Sequence, residues 1–361
     1  ELLPGVIERD NKQEFPKEQV KKMGELGFLG MMVDPKYGGG GMDTVSYVLV
    51  MEELSKIDAS CSVIVSVNNS LVCYGLQSYA NEEQKEKYLT KLATGEKLGA
   101  FCLSEPEAGS DATSQRTTAI DKGDHYLLNG TKNWITNGGS ADYYLVIAQT
   151  DKDKGHKGIN AFIVEKGWEG FEVGPKEDKL GIRGSDTHTL NFNDVKVPKE
   201  NLLPGKSGLG APMMCLDSAR YGIAWGAIGA AMDCYESAKR YTLEREQFGK
   251  PIASFQLQQK KLAEMLTEIT KAQLLNFRLG ELFNEGKATT AQISMAKRNA
   301  VETALNIARE ARQMHGGMGI TGEYPMMRHM ANLESVVTYE GTHDIHLLIL
   351  GAEITGIPAF K

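Results

Sequence analysis

The sequence predicts an α+β protein with an N-terminal helical domain, a middle antiparallel β-barrel or β-sandwich domain, and a C-terminal four-helix bundle. In the first and last thirds of the chain, apolar residues recur three and four positions apart, as in amphipathic helices. The middle third instead holds short apolar or alternating runs separated by Gly, Lys and Asp, as in strands joined by turns. These patterns predict domains at residues 1–97, 98–207 and 208–361.

Helix signals mark the first domain. Pro16 stands where a helix is expected to begin, because proline lacks the amide hydrogen that first-turn positions leave unpaired. Residues 43–55 place their apolar side chains on one stripe, and Asn81 followed by two acids is typical of a helix N-cap. The glycines of residues 38–41 lack the preceding strand and the spacing of a dinucleotide fingerprint, so we interpret them as a loop.

Asn129 and Gly130 form the strongest short hairpin signal in the middle domain. They stand between the apolar residues 126–128 and Trp134–Ile135, so we expect a turn with a strand on either side. No helix-length pattern interrupts the runs that follow. Further strands are expected at residues 143–148, 159–164, 171–173 and 190–197.

Three long helices are predicted in the last domain, at residues 217–244, 256–285 and 288–315. Each has apolar residues three and four apart, as Leu262, Met265 and Ile269 do in the second. Long helices with short connections are typical of a bundle. Ligand clefts are expected where the helical and β layers meet.

The composition is that of a globular protein, with 41% hydrophobic and 24% charged residues among 361. The formal net charge of -7 gives no support to nucleic-acid binding, which needs a concentrated basic surface. No apolar run approaches the length of a membrane span. Because the chain begins at Glu1 without an initiator Met, we expect its native start, and any targeting peptide, to lie outside this sequence.

Cysteine and histidine positions argue against disulfides and metals. The five cysteines are scattered in apolar surroundings, which indicates buried free thiols in a reducing compartment. His343 and His346 lie three apart beside Asp344, but no further His or Cys stands near them. No metal site is therefore predicted.

Glu340 lies in a stretch, residues 334–346, that has apolar residues on both sides. A carboxyl group in an apolar site has a raised pKa and can act as a base near neutral pH. Gly341 beside it lets a ligand or the backbone approach closely. Taken alone, the stretch has a second interpretation, a buried carboxylate at a helix terminus that pairs with an Arg.

Four other segments have groups suited to an extended polar cofactor. Residues 101–111 offer serine hydroxyls and backbone amides in a turn, and Trp134 stands near Thr136, which suits a heteroaromatic ring. Arg245, followed by Phe248 and Gln256, offers a guanidinium for a pyrophosphate.

The fourth segment is Gln313 with the Gly316–Gly317 pair, where a helix is expected to end and the backbone can approach a ligand. Each segment alone has a plain structural interpretation: a turn, a core Trp, a surface Arg or a helix C-cap. Their joint occurrence in this order favours a cofactor site.

Six motifs in sequence order resemble the acyl-CoA dehydrogenase family. They are Phe101–Asp111, Trp134–Asn137, Leu180–Thr187, Arg245 with Gln247–Gly249, Gln313 with Gly316–Gly317, and Tyr339–Thr342. The resemblance extends over essentially the whole chain, and the family's helical, β, helical order agrees with the pattern above. It implies an FAD flavoprotein oxidoreductase of fatty acid β-oxidation that oxidises the α,β bond of an acyl-CoA to the trans-2-enoyl-CoA.

The resemblance implies that Glu340 removes the α-proton while a hydride passes from the β carbon to the flavin. A thioester α-C–H is too weak an acid for a carboxylate in water, so donors to the thioester carbonyl must stabilise the enolate. In the family these donors are a flavin ribityl hydroxyl and the backbone N–H of the base. Some relatives keep the base immediately before the residue that matches Arg220, but Ala219 stands there and cannot serve.

Further site residues follow from the same resemblance. Those expected on the flavin ring and pyrophosphate are Phe101, Leu103, Ser104, Ser110, Trp134, Thr136, Thr342 and Asp344. Those expected on the adenine half, which the family completes from a neighbouring subunit, are Arg245, Phe248, Gln256, Gln313, Gly316 and Gly317. Those expected on the acyl-CoA are Ser110, Asp217, Arg220, Tyr339 and Gly341.

Assembly and partners are also implied by the resemblance. The family is commonly a homotetramer, a dimer of dimers, and passes its electrons to an electron-transfer flavoprotein. A bacterial member would be cytoplasmic and a eukaryotic member would lie in the mitochondrial matrix.

Two resemblances within the chain indicate different acyl groups for the substrate. The last third of the chain resembles glutaryl-CoA dehydrogenases, and the first two thirds resemble bacterial short-chain, butyryl-type enzymes. A glutaryl enzyme must pair the distal carboxylate with a cation. Aligning Ile57-Asp58 on the family places Ser62 at the position of that Arg, and Ser55 at a nearby family Glu.

Residues 58–67 contain no Arg or Lys, so the sequence favours a short straight-chain acyl-CoA, near butyryl. Glutaryl-CoA, with decarboxylation to crotonyl-CoA, is the second hypothesis for the substrate. Three further hypotheses for the function are an acyl-CoA oxidase, a non-catalytic flavin-binding homologue and a purely structural helical protein.

Overall fold

The protein, described here by a computed structural model over residues 1–205 and 208–359, has helical regions on either side of a central sheet. The predicted fold class is confirmed. The predicted boundary at residue 207 lies outside the described residues, and the three-domain division stays a prediction.

The N-terminal region is built from short helices. They are α1 (Val6–Lys12), α2 (Lys17–Glu25), α3 (Thr44–Ile57), α4 (Ala59–Ser66), α5 (Tyr74–Tyr79), α6 (Glu82–Gln84) and α7 (Thr90–Ala93). Pro16 precedes α2 directly, and Asn81 caps α6 in a capping box with Gln84, as their positions in the sequence predicted.

A π-helical segment, Val67–Cys73, joins α4 to α5 into one helix of 21 residues, Ala59–Tyr79. By length and composition this helix could cross a membrane, so the expectation that no apolar run approaches that length is wrong. In the fold, 89% of its most apolar stretch is buried inside the protein, as in the core helix of a globular domain.

The middle of the chain forms one seven-stranded sheet. Its strands are β1 (Gly99–Cys102), β2 (Thr118–Asp121), β3 (His125–Thr136), β4 (Tyr143–Gln149), β5 (Ile159–Glu165), β6 (Phe171–Lys176) and β7 (Thr187–Pro198). The order is β1-β4-β2-β3-β7-β6, with β5 on β4. Most pairs are antiparallel as predicted, but β4 runs parallel to β1 and, at one residue pair, to β2.

The predicted turn at Asn129-Gly130 is wrong, because both residues lie inside the continuous strand β3. The pairing of β3 with β7 shifts register there, so the pair forms a bulge. Gly130 has φ +145°, and a Cβ on it would lie 2.5 Å from the Thr117 hydroxyl. The Asn129 amide bonds Asp194 on β7 at 2.9 Å, and the hairpin turn instead precedes β3 at residues 122–124.

The C-terminal region contains the long helices of the bundle. They are α8 (Gly210–Glu244), α9 (Gln256–Asn284), α10 (Thr290–Met314), α11 (Met326–Thr338) and α12 (His343–Thr355), with a small hairpin, β8 (Glu246–Gln247) and β9 (Lys250–Pro251), before α9. Helix α8 begins seven residues before the predicted start at residue 217.

Helices α8 and α10 run in the same direction. Near their N-terminal ends, Arg220 of α8 and Lys297 of α10 both bond the loop of residues 339–341. At their C-terminal ends, the rings of Tyr241 and His315 stack 4.4 Å apart. The N-terminal ends of α8 and α10 therefore lie beside the loop of residues 339–341, and their C-terminal ends lie at the opposite end of the bundle.

Candidate active site

Glu340 lies in the short loop between α11 and α12. Its φ is +53°, and the φ of Gly341 is +97°. A left-handed backbone is uncommon for a residue other than glycine and concentrates at functional sites, where the surrounding structure must hold it in place. Tyr339 ends α11 with its N–H on the Ser335 carbonyl, and the Thr342 hydroxyl accepts the Ile345 N–H at 3.2 Å to begin α12.

Two buried basic side chains hold the carbonyl groups of this loop, and burial lowers the pKa of one of them, Lys297, to about 7. The Lys297 Nζ donates to the carbonyl oxygens of Val336 at 2.7 Å, Tyr339 at 3.1 Å and Gly341 at 3.0 Å. The Arg220 Nε donates to the carbonyl oxygen of Glu340 at 2.9 Å. All three loop carbonyls, from residue 339 to residue 341, therefore accept a hydrogen bond from a cation.

One oxygen of the Glu340 carboxyl group is buried, while the residue as a whole is half-buried. Its Oε2 atom has no hydrogen-bond partner among the described residues. Burial raises the pKa of Glu340 to about 7, although Arg220 and Lys297 act to lower it. The guanidinium of Arg220 pairs with Asp217 at 2.8 Å and not with this carboxylate, so the interpretation of Glu340 as the partner of an Arg is wrong.

Gly341 is required by its surroundings. A Cβ on this residue would lie 2.8 Å from the Nε2 atom of His346, which is fully buried and bonds Ser294 at 3.0 Å. The close packing explains why a glycine follows Glu340.

A cavity with an empty volume of about 400 Å³ reaches this loop through Tyr339. It lies between α3, α4, α8 and α11, and Ser55 and Ser62 line it with their hydroxyls 2.7 Å apart. None of the described residues lining the cavity is Lys or Arg; its polar lining consists of the two serines, His329, Asn332 and the Tyr339 hydroxyl. The alignment of Ile57-Asp58 placed Ser62 at the family's Arg position and Ser55 at that of a nearby Glu. In the structure these two serines are neighbours.

The sheet brings a second group of predicted residues together. The Ser104 carbonyl accepts the Asn133 N–H at 2.9 Å, so the segment after β1 lies beside the end of β3 that holds Trp134 and Thr136. Phe101 lines a further cavity of about 400 Å³ between the sheet and α8. Leu103 is half-buried, and Ser110 is exposed at the far end of its turn.

Trp134 is directed out of the sheet by a bulge. Its φ is +60°, the pairing of β3 with β7 shifts register between Lys132 and Ile135, and the side chain is 59% exposed. Bulges often redirect a side chain next to an active site. A large flat ring held outward in this way suits a contact with another ring system and argues against a core tryptophan.

Lys132 and Glu105 form a buried pair that the sequence did not reveal. The Lys132 Nζ bonds the Glu105 carboxylate at 2.7 Å and the Leu103 carbonyl at 2.9 Å. Glu105 also accepts the N–H groups of Arg116 and Thr117. The pair fixes the segment that contains Leu103 and Ser104 against β3.

The remaining cofactor residues lie at the other end of the bundle. Arg245, Phe248 and Gln256 surround the β8–β9 hairpin, and Phe248 is 92% exposed at its tip with φ +54°. Gln313, Gly316 and Gly317 are exposed at the end of α10. Because Lys297 and Gln313 are sixteen residues apart on α10, this group lies about 24 Å from the Glu340 loop along the helix axis.

The single chain therefore places the group around Gln313 far from the Glu340 loop. Of the residues predicted near the substrate, Asp217, Arg220, Tyr339 and Gly341 gather around Glu340, and Ser110 does not contact them. Thr342 caps α12 two residues after Glu340, and Asp344 is exposed in the first turn of that helix.

Lys297 is the main residue that sequence reasoning missed. It occupies the apolar stripe of α10, four residues after Ile293 and four before Val301, and its side chain is fully buried. A lysine at a core position of an amphipathic helix was the signal that could have identified it.

Comparison with known proteins identifies the family. The model of the acyl-CoA dehydrogenase N-terminal domain matches residues 1–96, that of the middle domain matches residues 100–195, and that of the C-terminal domain matches residues 206–355. The chain belongs to the acyl-CoA dehydrogenase family. This acyl-CoA dehydrogenase is an FAD-dependent oxidoreductase.

Several relatives of this acyl-CoA dehydrogenase are similar over nearly their whole length. The short-chain specific acyl-CoA dehydrogenase of Clostridium acetobutylicum is 43% identical over 356 residues, which are 98% of this chain and 94% of the relative. The structure of butyryl-CoA dehydrogenase from Megasphaera elsdenii is 44% identical with a TM-score of 0.95, covering 98% of this chain and 94% of its own.

Two other solved structures bear on substrate and partner. Glutaryl-CoA dehydrogenase from Mycobacterium smegmatis is 44% identical with a TM-score of 0.96, covering 100% of this chain and 92% of its own, and has also been solved in complex with FADH2. A chain in the structure of the electron transferring flavoprotein of Acidaminococcus fermentans is 44% identical with a TM-score of 0.95, covering 98% of this chain and 93% of its own.

Proposed function

We propose that this acyl-CoA dehydrogenase acts on short straight-chain acyl-CoA thioesters, near butyryl-CoA, and that Glu340 removes the α-proton. The observation that supports the role of Glu340 is its buried carboxyl oxygen without a partner, on a loop whose carbonyls are held by Lys297 and Arg220. A carboxylate kept dry and unpaired is a stronger base than one in water.

The same loop offers a donor for the charge that develops on the substrate. Among the described residues the Glu340 N–H has no backbone acceptor, and it belongs to the residue that bears the base. In the proposed pose this N–H donates to the thioester oxygen while the carboxylate takes the α-proton. A preorganised donor of this kind stabilises an enolate far better than water does.

FAD, when bound, supplies the acceptor for the hydride from the β carbon. The residues present fit such a group, because Trp134 offers an exposed flat ring on the sheet and Phe101, Leu103, Ser104 and Thr136 lie around it. At the other end of the bundle, exposed Arg245, Phe248 and Gln313 suit a pyrophosphate and an adenine. A Cβ on Gly316 or Gly317 would meet no atom within 4 Å, so a ligand has room to approach.

Because the group around Gln313 lies about 24 Å from the Glu340 loop along α10, we propose that a second copy of the chain completes each FAD site. A homotetramer built as a dimer of dimers has this property. Size-exclusion chromatography with light scattering tests this assembly, and a monomer that retains FAD and full activity would contradict it.

We also propose that an electron-transfer flavoprotein is the electron acceptor. Rapid peroxide formation under air without another acceptor would favour an oxidase instead.

The uncharged cavity beside Tyr339 supports the short-chain substrate. Its polar lining is chiefly a pair of hydroxyls, Ser55 and Ser62, that satisfy one another at 2.7 Å. A distal carboxylate there would be buried without a cation, which costs several kcal/mol. An apolar tail of a few carbons has no such cost.

Glutaryl-CoA is the second candidate substrate, because the glutaryl-CoA dehydrogenase of Mycobacterium smegmatis is similar over the whole chain. A series of acyl-CoAs assayed with a dye acceptor distinguishes the two. Butyryl-CoA should give the highest kcat/KM, and glutaryl-CoA should release little CO2. Release of CO2 from glutaryl-CoA at a rate comparable to butyryl-CoA oxidation would overturn the short-chain assignment.

The role of Glu340 is tested by Glu340→Gln. This variant should bind FAD normally and lose kcat by about 10²- to 10⁴-fold, the range for a general base. Glu334→Gln is a matched control, since Glu334 is an exposed glutamate of α11 that pairs with Arg309 at 2.9 Å. If the Glu340→Gln enzyme turned over as fast as the control, Glu340 would not be the base. If the wild-type protein could not bind FAD at all, a purely structural protein would be favoured.

A further inference from the structure

Lys297 contacts the peptide group that connects Tyr339 to Glu340. The Nζ atom donates to the Tyr339 carbonyl at 3.1 Å, and the N–H at the other end of the same peptide belongs to Glu340. Among the described residues this N–H has no backbone acceptor. One cation thus acts on one side of a peptide whose other side is free to bind a ligand.

Burying a lysine side chain at this position costs free energy. Its side chain is fully buried on the apolar stripe of α10, and transferring an ammonium group from water costs several kcal/mol unless it is paired. Burial lowers the pKa of Lys297 to about 7, and three carbonyls act in the other direction by favouring the charged form. One of them belongs to Val336 in the last turn of α11, where the helix dipole also favours a cation. No described carboxylate lies within ion-pair distance of Lys297.

Hydrogen bonds in series strengthen one another. A cation on a carbonyl oxygen draws electrons through the peptide and makes its N–H a better donor, an effect that is largest in a dry site. The left-handed φ of Glu340 is held from the other side by Arg220, which bonds the next carbonyl along the chain. Lys297 therefore bonds the Tyr339–Glu340 peptide, which contains the Glu340 N–H, and Arg220 bonds the Glu340–Gly341 peptide.

We propose that Lys297 is a positioning residue for α-proton removal, which fixes and polarises the Tyr339–Glu340 peptide so that the Glu340 N–H stabilises the enolate oxygen. The inference rests on the proposed role of Glu340. In the step, the α-proton moves to the Glu340 carboxylate, the C–H electron pair shifts into the enolate, and the negative charge on the thioester oxygen accepts the N–H. Lys297 contacts neither the substrate nor the proton.

Acetyl-CoA allows this step to be measured alone. It has α-hydrogens but no β carbon, so no hydride can be transferred, and exchange of its methyl hydrogens with D2O reports only proton removal. Mass spectrometry of acetyl-CoA incubated with FAD-loaded enzyme gives the exchange rate and, from its concentration dependence, the apparent affinity.

Lys297→Met should lower the saturated exchange rate by about tenfold or more, with unchanged acetyl-CoA affinity and FAD content, at a temperature where the variant is folded. Its melting temperature should fall, because three carbonyls lose their donor. Lys297→Arg, which keeps the charge and donors, should recover part of the loss. Arg309→Met is the matched control, since Arg309 is also a cation that ties α10 to α11, through Glu334 at 2.9 Å, but lies on the exposed surface. This control should exchange at the wild-type rate.

Two results would overturn the role of Lys297. One is a wild-type saturated rate in Lys297→Met; the other is a loss explained wholly by weaker binding or lower melting temperature, with no recovery in Lys297→Arg. Should Lys297→Met fail to fold, Lys297→Gln, which keeps an amide donor without the charge, is measured in the same way. Glu340→Gln should abolish exchange; if it does not, the proposed function fails and not only the role of Lys297.

Discussion

The Nε atom of Arg220 lies 2.9 Å from the carbonyl oxygen of Glu340, while the carboxylate of the same residue makes no ion pair with any residue that the structure describes. The residue is thus held by its backbone and left free at its side chain. This arrangement allows a glutamate to remain in a left-handed conformation and still present an unpaired, dry carboxylate to a ligand.

The rate should depend on pH through the Glu340 carboxyl group. Burial raises the pKa of Glu340 to about 7, and the base acts only when deprotonated. We therefore expect kcat/KM for butyryl-CoA to rise about tenfold per pH unit below pH 7. Because burial also lowers the pKa of Lys297 to about 7, the charge that assists the Tyr339–Glu340 peptide is lost above pH 7, and kcat/KM should fall again there. A profile measured from pH 5.5 to 8.5 that shows no rise below pH 7 would contradict the raised pKa.

Trp134→Ala should weaken FAD binding by about tenfold, equivalent to about 1.4 kcal/mol, because a flat ring directed out of the sheet would lose its contact with the cofactor. Since the side chain is 59% exposed, the melting temperature of the FAD-free chain should not change. Isothermal titration of the FAD-free protein measures the affinity. Ile120→Ala, at an apolar residue of β2 that is 50% exposed, is the control and should bind FAD as the wild type does.

Ser62→Arg should shift the substrate preference from butyryl-CoA towards glutaryl-CoA. The new cation would stand in a cavity without a charged partner, so kcat/KM for butyryl-CoA should fall about tenfold or more, while the distal carboxylate of glutaryl-CoA would pair with it. Ser62→Met, of similar length but without charge, should lose activity on both substrates. Equal losses in Ser62→Arg and Ser62→Met would mean that charge in this cavity does not select the acyl group.

Gly341→Ala should destabilise the protein by about 1–3 kcal/mol, because φ is +97° and the new Cβ would lie 2.8 Å from His346. Chemical denaturation followed by circular dichroism measures the loss. Gly351→Ala, within α12, is the control; its Cβ meets no atom within 4 Å, and it should stabilise the helix by about 0.5–1 kcal/mol. A Gly341→Ala protein as stable as the control would show that the loop is not constrained as described.

The helices could be predicted from the sequence because their signals are local. Pro16 and Asn81 act within one turn of the helices they begin, and apolar spacing marks the buried faces. The turn predicted at Asn129-Gly130 failed because the decisive partners lie elsewhere in the chain, Thr117 directly before β2 and Asp194 on β7, and nothing in the neighbouring sequence reveals them. The same dipeptide suits a turn and a bulge, since both need a left-handed or extended glycine.

The site was predictable where a motif carries its own chemistry. Glu340 next to Gly341 could be recognised because base and close approach lie in adjacent residues. The pairs that hold the site in place, Lys297 with the Tyr339 carbonyl and Lys132 with Glu105, join residues far apart in the chain. In the sequence each lysine resembles an ordinary surface lysine. The sequence therefore predicted Glu340 as the base, which stays a prediction, and did not predict the residues that hold its loop in place.

The parallel course of α8 and α10 has a consequence for any assembly. One end of each chain presents the base and the other presents Arg245 and Gln313, so a two-fold pair would complete two sites by reciprocal exchange. Co-expressed Glu340→Gln and Arg245→Ala chains would then form mixed pairs with one doubly damaged site and one wholly native site. Two inactive variants would restore each other's activity, a complementation that self-sufficient chains could not show.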